Sequence, residues 1–328
     1  MKHRTLLAVS VAAALAAVGP ALAAAPDWNK VPAKKVVILS PGVASLEWIL
    51  TGSDHSGVRG VRKGEACAGC HDEEAEAVGK KIASGEKVEP APIKGKSGSI
   101  PVNVQTAHDG TNLYMRFQWK APSPSGVKQD EKSQVKVAVM FDGGGVEYGT
   151  VGGCWATCHH DLRTMPDVNK DAAKHPRAKE LDIRSDGPTK YLKESRTALE
   201  LKNSPRGGWD KPKPPAEIEA LLKSGSFLDI IQFRSGDKPR DGYVLDARHM
   251  KEAPGLAEGK FENGTWTVTF TRKLAGGGVG DHALTAGKTY TMGFAIHDDW
   301  ANQRYHHVSF GYSMALDDPK AYFNIVKQ

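Results

Sequence analysis

The sequence predicts a mainly β protein, an antiparallel β-sandwich with a few short helices and inserted segments. Three observations predict it. Apolar and polar residues alternate along four stretches: Val135, Val137, Val139 and Phe141; Trp266, Val268 and Phe270; Tyr290, Met292, Phe294 and Ile296; and Val308, Phe310, Tyr312 and Met314. A period of two buries one face of a strand. Hairpin turns stand between such stretches, with His108-Asp109-Gly110 ahead of Met115, Phe117 and Trp119, and Asn263-Gly264 ahead of Trp266. Asn-Gly is the strongest short signal for a type I′ turn. Helical periodicity is confined to three short segments.

Taken in order, residues 1–25 read as a cleavable export signal. Lys2 and Arg4 form a basic start, Leu6 to Val18 an apolar run, and Ala21-Leu22-Ala23 a small-residue cleavage site. The apolar run is short and alanine-rich for a bilayer span. Residues 26–328 then form a single domain of a size that suits one large β fold. An N-terminal segment, about 45–95, carries a short helix at Ser45–Leu50 and a second with Ala75, Val78 and Ile82 at i, i+3 and i+7. Residues of about 160–215 are polar and lack periodicity, an excursion from the sandwich ending in the extended run Lys211 to Pro215. Pro215–Lys223 is the third helix. Without Lys2 and Arg4 the chain keeps 42 basic against 38 acidic side chains, a net charge of +4. That mild excess steers weakly toward an acidic partner and makes no case for nucleic acid.

The chemistry sits in the inserted segments. All four cysteines fall in two stretches, Cys67-Ala-Gly-Cys70-His71 and Cys154-Trp-Ala-Thr-Cys158-His159. C-x-x-C-H is the attachment signature of c-type haem, and the second stretch has one extra residue. The two thiols take the haem vinyl groups, and the adjacent imidazole takes one axial position on the iron. On a helix, Cys67, Cys70 and His71 share one face, as do Cys154 and Cys158. The predicted cofactor is therefore two covalently bound haems c, with His71 and His159 as proximal ligands. Two disulfides or a structural zinc are the competing readings of four cysteines in an exported chain. Neither needs a histidine directly after the second cysteine.

Each iron has a second axial position. His55, in a loop just before the first motif, is one candidate distal ligand. His297 at the end of the Phe294–Ile296 stretch and His307 at the start of the next are others, with His306 beside it pointing to the opposite face. His160 is too close to His159 to serve the same iron. His108, His175 and His282 are expected to be solvated, and His249, Met250 and Met165 are weaker candidates.

The order of elements resembles a known family. The run from Val104 to Tyr114 with Trp119, then Val137–Phe141, Cys154–His159, Leu228–Arg234, Asp241-Gly-Tyr243, Gly264–Arg272 and Gly293–His297 follow the haem-binding γ-subunit family of ethylbenzene dehydrogenase and related molybdenum enzymes of the dimethyl-sulfoxide-reductase type. The resemblance is nearer to the c-type cytochrome branch and covers roughly 100–315. It implies a β-sandwich and a molybdenum catalytic subunit as one possible partner. The family's b-type members hold haem through a methionine and a lysine. Here the stretch aligned with the lysine strand ends in Arg234, whose guanidinium cannot ligate iron, and the methionine stretch carries Cys154–His159. That ligation is not carried over. The first haem motif precedes the shared core.

These features predict a periplasmic dihaem c-type cytochrome that passes electrons between a cytochrome or quinol-oxidising membrane protein and a redox enzyme. A haem enzyme with an open iron site, reducing peroxide or a nitrogen or sulfur oxyanion, is the alternative. A zinc- or disulfide-stapled binding module is the third reading. Hydrolase triads, phosphate loops and paired-carboxylate motifs are not found.

Overall fold

A computed structural model of the chain describes residues 25–51, 55–122, 132–157, 174, 176, 178–179, 189–198, 200–201, 205–206, 208–298 and 305–328. The strands in these residues are β1 (Ala33–Leu39), β2 (Ser99–His108), β3 (Asn112–Lys120), β4 (Lys136–Asp142), β5 (Glu200–Leu201), β6 (Pro205–Arg206), β7 (Leu228–Arg234), β8 (Arg240–Val244), β9 (Arg248–Glu252), β10 (Ala257–Glu262), β11 (Thr265–Lys273), β12 (Tyr290–His297), β13 (His307–Val308), β14 (Tyr312–Leu316) and β15 (Phe323–Lys327). The helices are α1 (Leu46–Thr51), α2 (Val58–Arg62), α3 (Cys67–His71), α4 (Ala75–Ala83), α5 (Gly149–Thr157) and α6 (Pro215–Lys223).

Thirteen strands share one sheet in the order β10-β11-β3-β2-β1-β13-β12-β4-β7-β8-β9, and β5 pairs with β6 apart from it. Pairing is antiparallel except where β15 joins β14 and β2. Those two parallel contacts, with β14 also bonded to β12, close a ring through β2, β1, β13, β12, β14 and β15. From the ring, two wings lie face to face. Phe117 of β3 meets Phe294 of β12 at 5.0 Å between ring centroids, and Phe233 of β7 meets Trp266 of β11 at 6.3 Å. The expected mainly β, two-layered fold is therefore present as a single sheet rolled onto itself, with a barrel-like core.

Local sequence explains the turns. Asn263 and Gly264 both have positive φ, 51° and 75°, the left-handed pair that a type I′ turn requires. Between β2 and β3, the Asp109 carboxylate accepts the amides of Thr111 and Asn112 at 2.7 and 2.6 Å, an Asx turn that sets the register. The hydrophobic alternation then buries Val102, Val104, Met115, Phe117, Val268 and Phe270 on the inner face.

Two expectations differ. Val308 to Met314 does not form one strand. β13 stops at Val308 because the Ser309 hydroxyl accepts the Phe294 amide and donates to the Phe310 carbonyl, satisfying backbone groups that a regular ladder would pair. Gly311 then packs against α5: a Cβ on Gly153 (φ 67°) would lie 2.7 Å from the Gly311 nitrogen. His108 and His282 are buried rather than solvated. His108 Nδ1 accepts the Gly110 amide, which leaves Nε2 to donate to Asp317 at 2.9 Å. His282 stacks on Phe227 with centroids 4.2 Å apart.

Among the described residues, one buried ion pair joins the wings. Arg272 of β11 donates to Asp229 of β7 at 2.7 Å and to the His282 carbonyl at 2.8 Å, and the His282 amide donates to Asp229. Breaking such a buried pair costs about 3–5 kcal/mol, mostly by stranding the remaining charge.

Candidate functional site

The segment before β2 folds over the ring at β1. α4 lies against the sheet through Gly79, where any Cβ would run into the Gly98 carbonyl. Ala75 and Ile82 share the buried face of α4 with Gly79. The segment is also fastened from the far end of the chain, since the Tyr312 hydroxyl on β14 donates to Asp72 at 2.5 Å. Burial and the neighbouring Asp72 carboxylate push the Tyr312 phenol well above its ordinary range, so it stays a donor.

α3 is the Cys67–His71 motif itself. The chain does not continue from it as one helix; a turn at Asp72–Glu74 separates it from α4. Cys67 is half-buried and Cys70 exposed. Burial pushes the Cys67 thiol up to about 11, with Cys70 adding to the effect. His71 is half-buried, and its ring stacks on Phe310 at 6.3 Å. Phe310 lies in the interruption between β13 and β14, so the break in the strand and the placing of His71 are one feature.

Behind Cys67 and His71 is a largely apolar cavity of about 790 Å³ counted to the open solvent. The enclosed part is about 190 Å³, below the roughly 300–1,000 Å³ of a closed small-molecule site, so a group bound here would keep an open edge. Trp48, Ile49, Val78, Ile82 and Phe310 supply apolar wall, and His55, Cys67 and His71 face it. Lys81 and Lys87 are its charged residues.

His55 lies 6.2 Å from His71 between ring centroids, with the planes at 48°, and Trp48 packs on it from the other side at 6.1 Å. A first-row metal holds an imidazole nitrogen at about 2 Å, so two rings facing each other through one ion have centroids about 6 Å apart. The Nδ1 atoms of both histidines are buried without a hydrogen-bond partner. His71 Nδ1 has the Glu74 carboxylate at 3.4 Å, in ion-pair range but not aligned as a hydrogen bond. Burial, and then the His71 charge, lower the His55 pKa and keep its imidazole in the neutral form that binds metal. The apolar cavity, Cys67 on its wall with the exposed Cys70 close by in the same helix, and the two imidazoles are a donor set that fits a covalently held haem.

The second motif is described only in part. Cys154 falls in α5, which joins two helical pieces across Gly153. The side chain of Cys154, and Cys158, His159, His160, Met165 and His175 altogether, lie outside the described residues, as do residues 1–24. His297 stacks on His306 at 4.6 Å. His307 is wholly buried, and its Nε2 donates to the Ser97 carbonyl at 2.8 Å. Burial, and then Lys96, push its pKa down to about 3. Neither His297 nor His307 borders the cavity of the first motif. His249 is held by Asp246 at 2.7 Å and stacks on Tyr243. Trp48, Phe310, Lys81 and Lys87 are site residues that the sequence did not single out; only the fold brings them together.

Comparison with known proteins places the chain. The family model described as ethylbenzene dehydrogenase matches residues 25–257 and 253–309. Cytochrome c-552 of Stutzerimonas stutzeri is 44% identical over 321 residues, covering 96% of each chain. Cytochrome c-551 of Rhodocyclus tenuis is 29% identical over 306 residues, covering 93% of this chain and 100% of the relative. Among solved structures, a carbohydrate-binding module of family 9 from Caldicellulosiruptor kristjanssonii aligns over 65% of this chain and 66% of its own, with a TM-score of 0.26 at 6% identity, too loosely to bear on function. The chain belongs to the ethylbenzene dehydrogenase family, in the branch of that family that holds c-type cytochromes.

Proposed function

We propose that this protein is an exported dihaem c-type cytochrome that carries electrons. One observation carries the reading: His55 faces His71 at 6.2 Å across an apolar cavity bordered by Cys67. The names of the two relatives support haem c as the cofactor. Cys67 and Cys70 hold one haem and Cys154 and Cys158 the second, with His159 as the latter's proximal ligand. Haem iron bound at the first site supplies a one-electron ferric–ferrous couple.

The chain's own residues do the rest. His71 and His55 would both ligate the iron of the first haem and leave it no position for a substrate, which favours carriage over catalysis at that site. Trp48, Ile49, Val78, Ile82 and Phe310 exclude water, which limits the reorganisation that a change of charge would drive and helps set the potential. The Glu74 carboxylate, 3.4 Å from His71 Nδ1, would strengthen the ring as a donor once a hydrogen bond formed there. The exposed Cys70 marks the edge where electrons enter and leave. The periplasm is where such a chain would be matured and used. Its partners would be a cytochrome, a quinol-oxidising membrane protein or a molybdenum enzyme subunit. No helix among the described residues is long and apolar enough to cross a membrane.

The test is an EPR spectrum of the oxidised protein matured in a periplasm with haem-attachment machinery, integrated against protein and against haem measured as the pyridine haemochrome. Two low-spin ferric haems per chain are expected. A high-spin haem would turn the reading to an enzyme with an open iron, and one haem per chain would remove Cys154–His159 from the cofactor set.

A further inference from the structure

The cavity of the first motif is apolar except at one place. Lys81 and Lys87 border it, and both are exposed at its rim. Local chain geometry pairs them. α4 ends at Ala83, and Gly85 at φ 82° reverses the chain. The amides of Glu86 and Lys87 then donate back to the Lys81 carbonyl at 3.1 and 3.3 Å. The backbones of the two lysines are thus brought together although six positions separate them in sequence, and both border the same cavity. Neither has a carboxylate within ion-pair distance among the described residues. Neighbouring lysines elsewhere do find acids: Lys223 pairs with Glu219 and Lys238 with Glu252.

Their position along α4 also matters. Cys67 and His71 precede the start of the helix, and Lys81 stands in its last turn. Nine helical residues span about 13 Å, so Cys67 before α4 and Lys81 in its last turn border the cavity from opposite ends of the helix. A haem has the same polarity. Its vinyl groups, which take the thiols, are on one edge, and its two propionate carboxylates are on the opposite edge. We propose that Lys81 and Lys87 are the propionate-binding residues of the first haem, two cations matched to the cofactor's two anions at the mouth of an otherwise apolar cavity. This rests on the reading of Cys67–His71 as a haem site and adds the residues that fix the orientation and charge of its solvent edge.

The function of such a pair is electrostatic. Cations beside the propionates hold them ionised and offset the negative charge that would otherwise favour ferric iron. The experiment is EPR-monitored redox potentiometry from pH 5 to pH 8 on the full chain and on the Lys81→Gln/Lys87→Gln double variant. The first haem is identified as the signal altered by His55→Met. Lys80→Gln, which removes one charge next to Lys81 but outside the cavity wall, is the control, compared with Lys81→Gln alone.

The expected result is an unchanged haem-to-protein ratio and low-spin signal in the double variant, with a lower midpoint potential at pH 8. Its pH dependence steepens as the propionates begin to titrate within the range, while Lys80→Gln leaves both close to the parent. Three results would overturn the proposal. One is an unchanged potential and slope in the double variant. Another is a change in Lys80→Gln equal to that in Lys81→Gln, which would reduce the effect to general surface charge. The third is an unchanged potential with slower electron exchange with an acidic protein, which would make the lysines a docking surface. Absence of haem from Cys67 and Cys70 in the parent protein would instead sink the reading of the site itself, and haemochrome analysis separates that case from the others.

Discussion

At the scale of single residues, His55 and His71 set the character of the site. One lies in a loop and the other in a five-residue helix, yet with Trp48 packed on His55 and Phe310 on His71 the two rings stand 6.2 Å apart. His55→Ala would remove the distal ligand proposed for the first haem without touching either thiol. The expected outcome is full covalent haem content with one of the two haems converted from low to high spin, read by EPR and by the visible spectrum. Retention of two low-spin haems would assign the distal position to another side chain. His55 was legible as a candidate because a loop histidine stood just before the motif. Its place beside His71 was not, because a sequence does not reveal which loop folds over which helix. His297 and His307 looked equally good from their positions around a strand turn. In the structure they stand away from the first cavity, and the Ser97 carbonyl takes the Nε2 proton of His307.

Also at this scale, His282 gives a pH dependence. Burial, and then Arg272 and Lys288, push its pKa down to about 4, against the Phe227 carbonyl, which raises it. The unfolded chain protonates this group near pH 6.5, and the folded one refuses the proton until about pH 4. Its contribution to stability is therefore complete above pH 6.5 and declines as the pH falls through that window. The total is on the order of 3 kcal/mol at about 1.4 kcal/mol per unit. His282→Phe keeps the stack on Phe227 and removes the titration. Denaturant midpoints between pH 4 and pH 7 are expected to depend less on pH in that variant than in the parent.

At the scale of elements, strand and helix patterns were largely legible. Pro215–Lys223 forms the helix its boundaries predicted, and the Asn263-Gly264 turn has the backbone its residues demand. The split of Val308–Met314 was not legible, because alternation continues through the break while a serine hydroxyl and two facing glycines decide it. How the haem segment is fastened was also invisible, since Asp72 and Tyr312 are 240 residues apart. That bond is charge-assisted, and its loss costs about 1.5–3 kcal/mol. Tyr312→Phe retains the ring and its stack on Tyr322 but releases the segment. Amide exchange is expected to accelerate in residues 55–96 while the strands of the wings keep their protection. Uniform acceleration would mean that the segment and the sheet open together.

At the scale of the whole molecule, the fold class follows from alternation and turns, whereas the closure does not. Sequence patterns show which faces of strands are buried, but strand order is set by long-range pairing that leaves no local mark. The parallel strand β15, which links β14 to β2, is the case in point. The second haem motif remains a reading of the sequence, with the glycine-kinked α5 as its described foothold.

The rolled sheet has a further consequence for how such molecules behave together. Thirteen strands laid flat would offer long unsatisfied borders to their neighbours, but here the order runs out at β9 and β10. β9 reads Arg-His-Met-Lys-Glu and β10 Ala-Glu-Gly-Lys-Phe-Glu, charged and short. Charged, brief borders discourage strand addition from another molecule. Such borders leave little for a neighbouring chain's strands to extend, which works against edge-to-edge aggregation at high concentration.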